Sequence, residues 1–147
     1  MIVEGIMPAA RKWLVTIAAD APLLEAPKML GGIDVNLVVV CDAEGLIAGV
    51  LTKTDLVRQM GRCQGGACTN AVSSIMTRDA ISCRPNDLLH VVWALMKQNG
   101  LKHIPVVEHT GQPAGILNAW EVVQALLGEV ENEEALLRDY VMSVGYQ

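Results

Sequence analysis

The sequence predicts a mixed α/β (α+β) fold: two β-α-β-β-α units packed face to face as a pseudo-two-fold pair, then a C-terminal helix. Three observations support it. The 147-residue chain is 52% hydrophobic and 18% charged, which suits a compact core. The stretches 38–57 and 104–123 align with each other without a gap. In both, short apolar runs alternate with segments of helical periodicity.

The elements of the two copies follow one order. The first copy is predicted to form a strand at Leu14–Ile17, a helix over about 22–31, strands at Leu37–Cys41 and Leu46–Leu51, and a helix over about 53–60. The second is predicted to form the same elements at Ala80–Cys83, about 88–98, Ile104–Val107, Pro113–Leu117 and about 119–127. Asp20 and Asn86 are the expected N-caps of the first helices. Gly45 and Gly111 are expected in tight turns that require a positive φ.

The duplication divides the chain into four parts. The first unit is expected at 5–60, a Gly/Ser/Asn-rich linker at 61–74 and the second unit at 75–127. One unit cannot cover both faces of its small sheet, whereas two units packed together can. Residues 128–147 are predicted to form an amphipathic helical tail. Its apolar side carries Val130, Leu137, Tyr140 and Val141, and its acidic side carries Glu131, Glu133 and Glu134.

Charge and cysteine usage exclude several classes of protein. A net charge of −5 argues against a nucleic-acid partner, which requires a basic face. No apolar run approaches the roughly 20 residues that span a bilayer, and the N-terminus does not have the pattern of a signal peptide. The four cysteines lack the spacing of a disulfide framework, so free thiols in a cytoplasmic protein are expected.

Each copy carries a segment of the type V-V-x-x-x-G-x-x-x-G-h-h-T-x-x-D, in which h is apolar. This segment and the stretch SIMTRDAISCRPNDLLHVVWALMKQNGLKHIPVVE (74–108) resemble tandem cystathionine-β-synthase (CBS) domain pairs, in particular small stand-alone bacterial ones. The resemblance covers about 5–127, and LLRDYV (136–141) resembles the tail of that group. It implies a regulatory module without catalytic residues. Such a module binds AMP, ATP, NAD(H) or S-adenosylmethionine between its units and is commonly a dimer.

Thr52 and Asp55 are the sharpest candidate ligand-binding pair. The resemblance implies that they hold the ribose, because a carboxylate can accept both hydrogen bonds of a 2′,3′-diol. The same Thr-x-x-Asp spacing is also that of a capping box, in which the two side chains satisfy backbone N–H groups. The second copy has Asn118 and Glu121 at the matching positions. Because Glu is longer and Trp120 adds bulk that either supports an adenine or blocks the cleft, the two sites are expected to be unequal.

The resemblance also implies that strand residues hold the adenine. The predicted contacts by repeat position are Val15, Thr16, Asn36, Ile81 and Pro105. Each of these also fits an ordinary core or strand-edge position.

Lys102 and His103 are the best candidates for binding a phosphate. They precede Pro105, which interrupts strand pairing. For His103, an exposed polar strand residue is an equally good interpretation.

No catalytic set, metal site or required cofactor is expected. Cys63 and Cys68 lie in the linker without further ligands at zinc spacing. The segment GGID (31–34) lies at a helix end, where glycine is an expected C-cap.

Three hypotheses follow from the sequence. The first is a nucleotide-sensing homodimer that an unknown protein partner reads. The second is a CBS-pair scaffold with little nucleotide affinity that docks partners through its acidic C-terminal helix. The third is a thiol- or metal-dependent sensor. The dimer is expected to bury the apolar second helices, through Leu56, Val57, Met60, Val122, Val123 and Leu126.

Overall fold

Two small sheets, each flanked by helices, form the molecule. The computed structural model describes residues 1–32, 35–62 and 70–145. Its helices are α1 (Met7–Lys12), α2 (Ala26–Leu30), α3 (Lys53–Arg62), α4 (Leu89–Asn99) and α5 (Ala119–Gly145). Its strands are β1 (Thr16–Ala18), β2 (Leu37–Cys41), β3 (Ile47–Thr52), β4 (His103–Val107) and β5 (Pro113–Asn118). The predicted mixed α/β fold of two repeated units and a C-terminal helix is confirmed.

The two sheets are related but not identical. In the first, β1 runs parallel to β2, and β2 runs antiparallel to β3. In the second, β4 and β5 pair antiparallel. The predicted strand at Ala80–Cys83 is wrong, because only Cys83 forms a bridge, to Val106. Upstream of it, Thr77 already pairs with Val50 of the first sheet. The segment therefore crosses from one sheet to the other, and too few residues remain for a strand.

The structure confirms some of the predicted caps, turns and helix ends and contradicts others. The expected N-caps Asp20 and Asn86 are wrong, because α4 begins after Leu88 without a side-chain cap, and Leu23–Glu25 forms a 3-10 turn ahead of the short α2. The positive φ angles of Gly45 (80°) and Gly111 (92°) are confirmed. The two helices predicted around Gly128 are one continuous helix, α5. A glycine costs a helix only about 1 kcal/mol, too little to end it.

A first exchanged segment, the N-terminal strap (residues 1–10), lies on the second unit. The Val3 and Glu4 N–H groups donate to the carbonyls of Asp87 (2.9 Å) and Pro85 (2.7 Å), and Leu89 N–H donates to the carbonyl of Met1 (3.0 Å). The strap also supplies fully buried side chains to the core of that unit, namely those of Val3, Met7 and Ala10. The beginning of the chain thus completes the unit formed by its second half.

A second exchanged segment, the linker strap (residues 70–77), lies on the first unit in the same way. Val72 N–H donates to the carbonyl of Ala21 (2.9 Å), and Leu23 N–H donates to the carbonyl of Asn70 (2.8 Å). The side chains of Val72 and Met76 complete the core of the first unit. The core of each unit is therefore completed by the segment that precedes the other unit in the sequence.

The straps approach the sheets at two glycines that occupy the same position of the repeat. A Cβ on Gly49 would lie 2.6 Å from the carbonyl oxygen of Thr77, and one on Gly115 would lie 2.9 Å from the carbonyl carbon of Ala10. Because real Cβ atoms do not come this close to backbone, both positions require glycine. The close approach of strap and sheet is thus repeated in both units.

The inner faces of the two sheets meet in a separate apolar layer. Leu37, Val39 and Val50 of the first sheet are buried in one cluster with Ile116 of the second. The Ile47 N–H also donates to the carbonyl of Gly111 (2.9 Å), which links the turn of one unit to a strand of the other. This layer holds the units face to face and leaves a cleft on either side of it.

Candidate functional site

The larger cleft between the units has a volume of about 500 Å³. Both units contribute to its walls. Of the predicted ligand-binding residues, it brings together Thr52, Asp55, Asn36, Ile81, Lys102, His103 and Pro105. The volume lies within the range of small-molecule sites, about 300–1,000 Å³. The cleft is thus large enough for a nucleoside or a nucleotide.

Thr52 and Asp55 form a closed hydrogen-bonding pair at the junction of β3 and α3. Asp55 Oδ2 accepts hydrogen bonds from the Thr52 N–H (3.0 Å) and the Thr52 hydroxyl (3.1 Å). The Asp55 N–H donates in turn to Thr52 Oγ1 (3.3 Å). This is the reciprocal geometry of a capping box. Both bonds to the carboxylate go to Oδ2. Among the described residues, Oδ1 has no hydrogen-bond partner and is available to a ligand in the cleft.

The opposite wall carries the nitrogen-bearing side chains. Lys102 is exposed at the rim, and His103 is half-buried at the start of β4. The pKa of His103 is lowered, mainly by burial and then by the charge of Lys102, against a smaller opposing effect of Glu121. At neutral pH the imidazole is therefore uncharged, so Lys102 is the cationic group of this wall.

We expect His103 to make the fold sensitive to acid. A lowered pKa means that the unfolded chain binds a proton more readily, so stability falls as pH drops below the ordinary value of 6.5. The drop in urea midpoint between about pH 7.5 and 5.5 should therefore be smaller for His103→Gln than for wild type. A His109→Gln control, at an exposed turn position, should follow wild type. Equal drops for His103→Gln and wild type would contradict this account.

The cleft also contains residues that the sequence pattern did not predict. Thr54, Thr77, Asp79 and Leu101 line it beside the predicted set. Thr77 and Asp79 come from the segment that crosses between the sheets, whose path the prediction of a strand at 80–83 obscured. Asp79 occupies the repeat position of Trp13 in the first copy, and this Trp/Asp difference is the one sequence feature that distinguishes the two clefts at that position.

Asn118 and Glu121 lie at the matching place in the second unit, where the cleft is closed. A cavity of about 10 Å³ remains beside Asn118, too small for more than one water. Trp13 fills the rest, and its Nε1–H donates to Glu121 Oε1 at 2.7 Å. Where the first cleft has the short acid Asp79, the second has an indole. The observed geometry of the two clefts is thus unequal.

The Glu121 carboxylate is only half satisfied. Its Oε2 is buried and lacks a hydrogen-bond partner among the described residues. Trp120, which was expected either to support an adenine or to block the cleft, is 69% exposed and lines neither cleft. The tryptophan that blocks the second cleft is therefore Trp13, and Trp120 faces solvent.

Replacing Trp13 with phenylalanine should lower the free energy of unfolding by about 1–3 kcal/mol, because it removes the hydrogen bond from the indole to a partly buried carboxylate. Urea denaturation followed by circular dichroism measures the change. Trp120→Phe is the matched control, at an exposed position, and should stay within about 0.5 kcal/mol of wild type. Equal effects of the two substitutions would show that the bond to Glu121 is not important for stability.

The two remaining predicted contacts lie away from the open cleft. Val15 is half-buried, and its carbonyl accepts the Val39 N–H at 2.9 Å. Thr16 is exposed at the start of β1, in register with Val39. Neither side chain lines either cleft. Both belong to the edge of the first sheet.

Two of the four cysteines, Cys41 and Cys83, lie in the described residues, and both are free thiols. Cys63, Cys68 and the end of the GGID segment lie outside the described residues. Burial raises the pKa of the Cys83 thiol to about 12, with a smaller effect of Asp87, so this thiol stays protonated. Within the described ranges, no three His, Cys, Asp or Glu side chains are grouped to hold a metal ion. The same ranges contain no helix long and apolar enough to cross a membrane.

The repeated unit, the exchanged straps and the cleft between the units define a paired-domain module. A family model for the CBS domain matches residues 14–62 and again 72–128. The chain therefore belongs to the CBS-domain family and contains two copies of the domain. The predicted recognition of a tandem CBS pair is confirmed.

Solved structures of CBS proteins show the same fold. A CBS-domain containing protein, ATU1752 from Agrobacterium tumefaciens, is 28% identical with a TM-score of 0.71, over 85% of this chain and 98% of that one. CBSX2 in complex with AMP is 23% identical with a TM-score of 0.73, over 86% and 96%. The CBS pair of MJ0100, in complex with 5′-methylthioadenosine and S-adenosyl-L-methionine, is 22% identical with a TM-score of 0.70, over 88% and 97%. The latter two likenesses concern the fold.

Curated relatives include enzymes of greater length. Arabinose 5-phosphate isomerase GutQ of Salmonella typhi is 30% identical over 103 residues, which are 70% of this chain and 32% of the relative. Homoserine O-acetyltransferase of Methanocorpusculum labreanum is 25% identical over 104 residues, 71% of this chain and 20% of the relative. The chain thus spans about a fifth to a third of the length of these relatives.

Proposed function

We propose that this protein is a regulatory module, not an enzyme, that binds one adenosine-containing ligand in the cleft of Thr52 and Asp55. The observation that supports this most is the cleft itself. It lies between both units, measures about 500 Å³ and has the Asp55 carboxylate at its wall, with Oδ1 unbonded within the part of the chain that the structure describes. That oxygen can accept hydrogen bonds from a ribose diol, while apolar residues such as Leu37, Val50 and Ile81 surround a base.

The charges of the cleft favour a ligand with few phosphates. Asp55 and Asp79 contribute two carboxylates among the lining residues, whereas Lys102 contributes one positive charge and His103 is neutral. A long phosphate chain would meet net repulsion here. AMP or a cationic adenosine such as S-adenosylmethionine fits better. MJ0100 and CBSX2, of the same fold, hold ligands of these kinds.

The proposed signal of this module is a change in the relative orientation of its two units. A ligand in the cleft contacts β3 and α3 of one unit and the segment 100–105 of the other. It therefore favours whichever arrangement of the units binds it better, and a protein partner reads that arrangement. We further propose that the module works as a homodimer in the cytoplasm, and that its sequence divides at 5–60, 61–74, 75–127 and 128–147.

A thermal-shift and calorimetric panel tests the ligand. Purified protein is titrated with AMP, ADP, ATP, NADH, 5′-methylthioadenosine and S-adenosylmethionine. At 100-fold excess over the dissociation constant, a bound ligand should stabilise the fold by about 2.7 kcal/mol, at one site per chain. ATP binding more tightly than AMP would contradict the charge argument and indicate that phosphates reach Arg58 and Arg62, which line a hollow beyond Asp55. No shift with any compound would overturn the sensor.

A scaffold without nucleotide affinity is the second candidate. The observation that favours it is the exposed, apolar and acidic end of α5, which offers a docking surface whether or not the cleft is filled. No binding by any compound of the panel, together with partner binding through α5, would support the scaffold.

A further inference from the structure

The C-terminal half of α5 extends from the body of the protein without packing against the rest of the described chain. The helix runs for 27 residues, about 40 Å, and every residue from 130 to 142 is exposed. Its first half packs against α4 and buries Val122. Isolated helical segments of this length are marginal in water, so the second half needs a partner surface.

The exposed part of α5 carries a seam with coiled-coil spacing. Leu127, Val130, Glu134, Leu137 and Val141 follow one another at alternating steps of three and four positions. The four apolar members are 49–68% exposed, although side chains of this kind are normally buried. Such a seam is complementary to another helix with the same spacing, which its own chain does not supply among the described residues.

We propose that α5 pairs with α5 of a second copy, as an antiparallel two-stranded coiled coil. In the register that centres the seam, Val130 packs against Val141 of the second copy, and Glu134 lies beside Leu137 of the second copy. A two-fold axis repeats both contacts, so one surface is complementary to itself. The inference is independent of the nucleotide proposal, because no residue of the seam lines the open cleft.

The charge of Glu134, which lies within the seam, favours the antiparallel direction, and the flanking Arg138 is compatible with it. Two antiparallel helices place Arg138 of one copy next to Glu131 of the other, twice per dimer. Two parallel helices would instead place Glu134 against Glu134 at the centre of the contact, where like charges repel. Within the described part of one chain, Arg138 forms one ion pair, with Glu134 at 3.7 Å, and both side chains are largely exposed. That weak surface pair leaves Arg138 available to Glu131 of the second copy.

The contact differs from the one expected from the second helices of the units. Of those six residues, Leu56 and Val122 are buried inside their own units. Val57 and Met60 on α3 are exposed, 68% and 70%. The seam on α5 is longer than this pair and carries the charges that specify a direction.

Sedimentation equilibrium of the full chain tests the proposal. Wild type should have twice the mass of one chain at micromolar concentration, and Leu137→Asp should weaken the dimer by about 10-fold or more. Leu136→Asp is the matched control, since Leu136 is equally exposed (62%) but lies off the seam. Circular dichroism melting shows that both variants fold. A monomeric wild type, or equal effects at 136 and 137, would overturn the proposal.

Exchanging the charges at positions 138 and 131 tests whether the two α5 helices are antiparallel. Arg138→Glu should weaken the dimer, and adding Glu131→Arg should restore it if the helices are antiparallel. Parallel helices would bring Arg138 near Glu133 of the second copy, so rescue by Glu133→Arg in place of Glu131→Arg would overturn the antiparallel arrangement.

Discussion

Gly49→Ala is expected to lower the free energy of unfolding by about 2–4 kcal/mol. The added methyl would lie 2.6 Å from the carbonyl oxygen of Thr77 and 3.0 Å from Met76 Sδ. The linker strap must therefore move away from β3. That movement strains the core and weakens the paired bonds between Val50 and Thr77, 2.9 and 3.0 Å long. Urea denaturation followed by circular dichroism measures the loss.

Gly128→Ala is the control for this substitution. Gly128 lies inside α5, and an added Cβ would meet no neighbouring atom within 4 Å, so alanine should add about 0.5–1 kcal/mol by its helix propensity. The same chemical change thus has opposite signs at the two glycines. If Gly49→Ala proved as stable as wild type, the linker strap would not lie where the structure places it.

Asp55→Ala is expected to weaken binding of the cleft's adenosine ligand by about 100-fold. Without the carboxylate, the ribose would lose two charge-assisted hydrogen bonds, each contributing about 1.5 kcal/mol or more. Isothermal titration calorimetry with the best ligand of the panel measures the effect. Alanine also removes the cap of α3, so part of any loss could come from the fold.

Two further variants separate capping from binding. Asp55→Asn keeps an oxygen that can accept the Thr52 bonds but loses the charge and one acceptor, so it should fold normally and still bind about 10-fold or more weakly. Glu121→Gln makes the matching change in the closed cleft, where Trp13 can still donate, and should leave affinity unchanged. Wild-type affinity in Asp55→Asn would show that Asp55 is a cap and that the ribose site lies elsewhere.

The sequence predicted those parts of the fold that depend on local pattern. The strands β2 to β5 and the turn glycines could be located because apolar runs and positive-φ positions recur at one spacing. The straps could not, because their similarity lies at a slightly longer spacing than that of the strands: Val3, Ile6 and Met7 match Val72, Ile75 and Met76. An alignment held in the register of the strands does not detect it, and nothing local indicates that a segment packs on the other unit.

The candidate site was predictable to a similar extent. Thr52 and Asp55 stand out by spacing, and they do meet at the wall of the open cleft. That they form a capping box as well could not be decided from the sequence, since one pattern serves both roles. The closure of the second cleft depends on Trp13, which lies 108 positions from Glu121. A contact at that separation is set by tertiary packing and leaves no local signal.

The exchanged straps also determine when the chain can fold. The hydrogen bonds from Val3 to Asp87 and from Val72 to Ala21 join residues that are far apart in the sequence. A long loop of chain must therefore close before either strap can pack. Neither half of the repeat has a finished core of its own, and folding and unfolding should each be a single cooperative event with no stable half-molecule. During synthesis, the first strap has no docking site until the second half has left the ribosome. The duplication that built this protein from two similar halves has thus made them inseparable.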